Sequence, residues 1–279
     1  MMTKLLQIAD KNIVFRFIIF AYIWFGTKII DTTYEIGRLL RKRGVTSSKY
    51  KKIISLKNKY KGERCFVICT GPSLTIDDLN LLKGEYTFGM NSISLLYDKT
   101  DFRPSFFGCI DEGVFLKMYD NIQKYDDDRI PVFISGRAAK HCDLKPHWYE
   151  IPVNVAYHTY DRWVKNKFWC KFSDDAYAGV YDMYSVTHFL IQIAVYMGFK
   201  DIYLLGCDCN QVPGKQVHFK DYGVPDASID TARERNINGF EEVKRYCDTH
   251  DVTVYNATRG GMLEVFERVD LDKVLLTKE

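Results

Sequence analysis

Charge of one sign is nearly absent in net terms. The 279 residues carry 39 Lys+Arg against 36 Asp+Glu, a formal +3, and so small a balance gives no basis for nucleic-acid binding. No CxxC pair occurs among the eight cysteines, and Cys207 and Cys209 stand too close for zinc-ribbon spacing, so structural zinc is not expected. Cys65, Cys69, Cys109 and Cys207 lie in or beside apolar runs, where cysteine behaves as a small hydrophobe, and a reducing cytoplasmic compartment fits that usage. There is no G-x-x-x-x-G-K-[ST] phosphate loop, no internal repeat and no low-complexity segment. The small-residue cleavage site of a signal peptide is missing.

What is present is unevenly distributed. The stretch 13–30 reads IVFRFIIFAYIWFGTKII, and from 38 to 64 nearly every charge is positive, Glu63 being the single acid. An apolar, aromatic segment followed by lysines and arginines is the pattern of attachment to an anionic membrane surface. Arg16 and Lys28 shorten the clean run below what a span needs, which leaves an interfacial helix, a tilted poorly hydrophobic span, or a helix packed on the protein's own core. The expected organisation is a membrane-associating helix and basic linker over 1–60 and a catalytic domain over 61–279, with the protein cytoplasmic and peripheral or anchored at the inner membrane face.

Beyond the basic stretch, strand and helix patterns alternate. Phe66-Val67-Ile68-Cys69 is an apolar run stopped by Gly71-Pro72 and followed by an acidic helix start at Asp77-Asp78. Further strands are read at 86–90, 105–110 and 131–135. A helix over 185–197 closes at Gly198 and runs into a buried strand starting at Asp201, and a last helix over 231–249 leads to a strand at 252–255. This alternation predicts an α/β, Rossmann-like, largely parallel sheet with helices on both faces. The alternation fails over 140–182, an aromatic-rich insertion that is either a lid or acceptor platform or a small subdomain with its own aromatic core.

In such sheets ligands bind beyond the carboxyl ends of the strands. Thr70, Gly71, Pro72, Ser73, Asn91, Asp111, Asp208 and Asn256 all fall just past predicted strand ends. Glycine permits close backbone approach, and amides with the Ser73 hydroxyl at a helix start suit a phosphate. Asn256 to Gly261, with Arg259, forms a second glycine-containing turn that either binds phosphate or serves as a plain stop. His218, in a polar loop after Asp208, is the candidate general base. Asp111 and Asp208 are equally capable of capping turns or of holding Mg2+ on a triphosphate.

Three ordered segments carry a family resemblance: Cys65-Phe66-Val67-Ile68-Cys69-Thr70-Gly71-Pro72-Ser73-Leu74; Asn91; and Tyr196-Met197-Gly198-Phe199-Lys200-Asp201-Ile202-Tyr203-Leu204-Leu205-Gly206-Cys207-Asp208. They resemble the bacterial sialyltransferases that use CMP-activated sialic acid and, more closely, the 6-hydroxymethylpterin pyrophosphokinase-like family, also called domain of unknown function 115. The second likeness adds Val217-His218-Phe219-Lys220-Asp221-Tyr222 and the segment from Tyr255 to Phe266. The resemblance implies that Gly71 and Ser73 contact the nucleotide and that Asn91 bonds the donor, with Ser185 and Thr187 near a donor-carboxylate site. The sialyltransferases' serine-glycine at that site is replaced by Val186-Thr187, their phosphate-binding tyrosines fall near Asn210 and Gln216, and their base histidine falls near Thr231.

Three readings follow. The first is a metal-independent, sialyltransferase-like glycosyltransferase of cell-surface polysaccharide or glycolipid assembly, needing no cofactor. It takes a nucleotide-activated sugar, CMP-linked sugars included, and a glycan or lipid-linked acceptor. The second is a Mg2+-dependent ATP pyrophosphokinase of the 6-hydroxymethylpterin type, and the third is a non-catalytic glycan-assembly scaffold.

Overall fold

The computed structural model describes residues 12–45, 48–160, 168–211, 216–221, 223 and 229–277. It opens on one long helix, α1 (Ile13–Lys42), capped by Asn12, whose Oδ1 accepts from the backbone N–H groups of Val14 and Phe15. The apolar pattern predicted helix only to residue 30; α1 continues twelve residues further, to the start of the basic stretch, because its charged side chains find partners on the body of the protein. A 3-10 helix, Ser48–Leu56, follows, and its Ile53 and Leu56 are buried in the same core as the sheet.

Seven strands form one entirely parallel sheet in the order β5-β4-β3-β2-β1-β8-β9. They are β1 (Arg64–Ile68), β2 (Tyr86–Met90), β3 (Phe106–Cys109), β4 (Val132–Ser135), β5 (Trp148–Ile151), β8 (Asp201–Leu205) and β9 (Thr253–Asn256). The near-continuous burial of β1, β3 and β4 is what a sheet covered on both faces requires. One face carries α5 (Val186–Met197) and α6 (Ile229–Cys247), packing Phe189, Ile193 and Phe240 against Val67, Phe88 and Leu204. The other carries α2 (Ile76–Leu81), α3 (Glu112–Lys124) and α7 (Leu271–Leu276), packing Leu79, Phe115 and Leu271 against Phe66, Ile68 and Ile134. The expected α/β architecture with helices on both faces is the one observed.

All twelve residues of α5 are buried, nine of them apolar, as in a helix enclosed on every side. It stops at Gly198, whose φ of 93° supplies the left-handed turn that returns the chain directly to β8. The 140–182 region is more regular than its pattern predicted. It contributes the edge strand β5, then β6 (Val153–Asn154) and β7 (Val180–Tyr181), which pair with each other in parallel, and the short α4 (Ala156–Tyr160). Of its aromatic residues, Trp163 lies outside the described residues, and Tyr160 is placed only as backbone.

Candidate functional site at the switch point of the sheet

The direction in which strands are added to the sheet reverses between β1 and β8. From β1 the strands are added one way to β5, and the chain then crosses to place β8 and β9 on the other side. The connections leaving β1 and β8 therefore diverge, and a crevice opens at their carboxyl ends, which is where open α/β sheets bind ligands. The turn 69–73 leaves β1 on one side of it; Gly206 to Asp208 leave β8 on the other.

Asp208 ties the two sides together. Its Oδ2 accepts from the Ser73 hydroxyl at 2.8 Å and from the Ser73 backbone N–H at 3.3 Å, while Gly71 N–H donates to Gly206 O at 2.9 Å. A methyl group built on Gly71 would overlap Asp208 Oδ2 and sit 2.5 Å from Gly206 O. The glycine is thus required by the neighbouring strand's exit. Asp208 is braced a second time by the loop after β9: its carbonyl accepts from Met262 N–H at 2.6 Å, and Gly261 (φ 75°) passes so close that a Cβ would stand 2.8 Å from the Asp208 backbone.

The turn is consequently more closed than its sequence implied. Gly71, Ser73, Leu74 and Thr75 all donate their amides within the protein, to Gly206 O, Asp208 Oδ2, Gly71 O and Asp78 Oδ2, and Pro72 has none to give. What the turn offers instead is Thr70. Its hydroxyl lies 3.0 Å from His218 Nδ1, and its carbonyl accepts from Phe219 N–H at 2.8 Å. Two bonds to one residue therefore bring the candidate base, 148 positions away in sequence, to the lip of the crevice.

Asn91 ends β2 in the left-handed conformation, φ 46°, and its Oδ1 is buried without a hydrogen-bond partner. An unsatisfied buried acceptor costs about 1–3 kcal/mol, so this oxygen is the one predicted site atom whose local structure calls for an incoming donor. Asn210 Oδ1 and Gln211 Oε1, just beyond Asp208, share that condition. In the sequence Asn210 falls near a phosphate-binding tyrosine of the sialyltransferases, whereas Gln211 only extends the run Cys207-Asp208-Cys209 past a strand end.

The remaining predicted residues have structural partners. Asp111, exposed, caps α3 by accepting from Val114 N–H at 2.8 Å. Ser185 caps α5 through the Thr187 N–H at 3.2 Å. Thr187 is buried beneath the turn, donating to Met90 Sδ at 3.7 Å and lying 3.4 Å from Cys69 Sγ. Asn256 is buried with both amide ends used, Nδ2 donating to Leu263 O at 2.8 Å and Oδ1 accepting from Thr258 N–H at 3.0 Å. Arg259 Nε donates to Asp78 at 2.7 Å and its Nη2 to Asp272 at 3.2 Å, joining α2 to α7. Below the crevice Cys69, Cys207 and Cys209 meet; hydrogen bonding to the other two thiols, with burial, holds the Cys207 thiol well above its ordinary range.

A groove of about 570 Å³ lined by Arg103, Tyr125, Asp126, Lys145 and His147 lies at the opposite rim, before the strands begin. Its charges are spent on one another: Asp126 accepts from Lys145 at 2.6 Å and lies 2.9 Å from His147. The crevice at β1 and β8, where the acceptors of Asn91, Asn210 and Gln211 are left open, is the better candidate on chemistry.

The 6-hydroxymethylpterin diphosphokinase MptE-like family matches residues 45–213, more than half of the chain. The protein belongs to that family. The MptE-like match contains Thr70 to Ser73, Asn91 and Asp208 and ends before His218, Asn256 and Arg259. No curated protein matches the chain. Two solved structures resemble the MptE-like chain. One is the MAf glycosyltransferase from Magnetospirillum magneticum AMB-1, at 14% identity and TM-score 0.46 over 81% of this chain and 39% of that one. The other is the sialyltransferase CstII from Campylobacter jejuni in complex with a substrate analogue, CMP-3FNeuAc, at 12% identity and TM-score 0.44 over 74% of this chain and 85% of that one. The chain thus spans well under half the length of the first.

Proposed function

We propose that this MptE-like protein is a nucleotide-dependent transferase that moves a sugar from a nucleotide-activated donor to a glycan or lipid-linked acceptor. The observation that carries the reading is the pairing of His218 with Thr70 at the switch-point crevice. In the tautomer whose Nδ1–H donates to the Thr70 hydroxyl, the imidazole is oriented and Nε2 is the nitrogen that takes up a proton. In this reaction the acceptor oxygen bonds to the anomeric carbon of the sugar and its proton passes to His218 Nε2. The bond from that carbon to the nucleotide phosphate breaks, and the phosphate leaves with the electron pair. Asn91 Oδ1, Asn210 Oδ1 and Gln211 Oε1 are acceptors without donors, suited to ribose hydroxyls or to the exocyclic amine of a base.

The family's description favours a second reading, diphosphate transfer from ATP with Mg2+. Asp111 and Asp208 were the candidate ligands, but the first is an exposed helix cap and the second holds the Ser73 hydroxyl. Among the described residues no group of three or more His, Cys, Asp or Glu side chains is suited to a metal ion.

Thermal stabilisation by CMP, UMP, GMP, AMP and ATP, each measured with EDTA and with Mg2+, separates the two. Sugar transfer predicts stabilisation by one nucleotide monophosphate without metal. It also predicts that His218→Gln keeps the stabilisation while transfer from the matching nucleotide-sugar slows by on the order of 100- to 10,000-fold. Stabilisation by ATP alone, and only with Mg2+, establishes the second reading and discards the first.

A further inference from the structure

The most unusual surface in the molecule belongs to α1, and it is inside out. Its second half docks on the insertion: Asp31 accepts from Asn154 Nδ2 at 2.9 Å and from the Tyr157 hydroxyl at 2.6 Å, the Tyr34 hydroxyl donates to Val180 O at 2.7 Å, and Arg41 Nε donates to Ala178 O at 2.6 Å. Thr27 and Asp31 are only 5% and 8% exposed. Between positions 29 and 40 the charged residues, Asp31, Glu35 and Arg38, are buried or half-buried toward the body, and every exposed position is Ile, Leu or Thr. A soluble protein arranges a surface helix the other way round.

The first half of α1 projects beyond that dock and is apolar on all sides, with Arg16 its one charge between 13 and 26. Phe17 is 73% and Tyr22 80% exposed. By length and composition α1 passes as a membrane-crossing helix. The docking contacts argue otherwise: the free portion before Thr27 has fourteen residues, about 21 Å of helix, against a hydrocarbon core of about 30 Å.

We propose that α1 is a one-leaflet membrane anchor. Its projecting half enters the apolar layer of the bilayer, and the outward stripe of its docked half, Ile29, Ile36, Leu39 and Leu40, lies against the same leaflet. A second copy of the chain is the competing occupant, since Ile18, Tyr22, Phe25, Ile29, Ile36 and Leu39 follow a three-four spacing. A paired seam would cover only that stripe. Ile13 and Trp24, which are exposed on the side of the helix that docks further along, would stay in water, whereas a leaflet covers both sides. The exposed basic residues Lys42 and Arg43 at the end of the helix then stand at headgroup level. The inference stands independently of the transfer reaction.

The test uses the full chain with an N-terminal epitope tag and preformed sealed vesicles of phosphatidylcholine, with and without phosphatidylglycerol. The expected results are flotation with both vesicle types, retention in high salt, and complete removal of the tag by protease added outside. Ile36→Gln with Leu40→Gln, both on the outward stripe, should weaken vesicle binding by about tenfold or more at an unchanged melting temperature. Protection of the tag would show a span. Failure to float by a chain that light scattering finds to be a defined dimer would show a self-association seam. Unaltered binding by the double variant would show that only the projecting half meets lipid. Each of the three overturns the proposal.

Discussion

Asp208 illustrates how one carboxylate can set a local structure that its neighbours merely accommodate. It receives Ser73 from the β1 side and Met262 from the β9 side, and Gly71 and Gly261 are both needed to let it through. Gly71→Ala is accordingly expected to spread the β1–β8 exit and to destabilise the protein by about 1–3 kcal/mol, as overpacking does. Chemical denaturation measures this with no ligand present, and a wild-type midpoint would show that the turn relaxes freely. Asn91→Gly tests the opposite kind of residue. Glycine accepts φ 46° and removes an unpaired acceptor, so the free protein should hold or gain stability while nucleotide-dependent stabilisation falls. An unchanged nucleotide response would remove Asn91 from the site. The sequence marked these positions because they end strands, and that logic locates residues well. It does not separate ligand groups from caps: Asp111, Ser185 and Asn256 end strands or start helices with the same side-chain chemistry, and all three bond their own backbone. His218 was legible only as a histidine in a polar loop; that Thr70 holds it follows from a contact no local pattern encodes.

Among the elements, the buried strands were legible because a parallel sheet covered twice leaves unbroken apolar runs. The edge strand β5 was not. It is four residues long, follows a proline two positions upstream, and includes Glu150, which pairs with Lys49 at 2.5 Å. The second half of α1 escaped for a related reason: its charges read as a solvated linker, whereas they face the body. The link from β7 into α5 adds a titratable element. Met183 and Tyr184 are both left-handed, with φ 48° and 69°, and His188 Nδ1 donates to Met183 O at 2.7 Å from a fully buried ring. Burial pushes the His188 pKa down to about 4. The unfolded chain takes up this proton near pH 6.5, and the folded one does not until about 4. Stability is therefore intact above pH 6.5 and lost as pH falls through that window, by about 1.4 kcal/mol per unit and on the order of 3 kcal/mol in all. Urea unfolding across pH 4–7 should show that slope, and His188→Leu should flatten it even though the variant is weaker throughout. A slope that survives the substitution would assign it to other groups.

For the molecule as a whole, the strand order alone places the crevice: the reversal between β1 and β8 puts it there whatever the chemistry. Burial of α1 against the body begins at Thr27 and its hydrogen bonds to the body at Asp31, so a chain starting at Thr27 is expected to keep its melting temperature within a few degrees, to lose flotation with vesicles and to remain soluble. A collapse of the melting transition would mean that the projecting half supports the fold. The docked half of α1 has a geometric consequence. It is fastened to the insertion at Asn154, Tyr157, Ala178 and Val180, and the strand holding Val180 leads within five residues to Ser185 at the start of α5. If α1 is immersed as proposed, these fastenings would hold the candidate crevice at one altitude above the lipid. The proposed transferase would then work as a height gauge, accepting only those carrier-borne chains whose growing tip stands at that level.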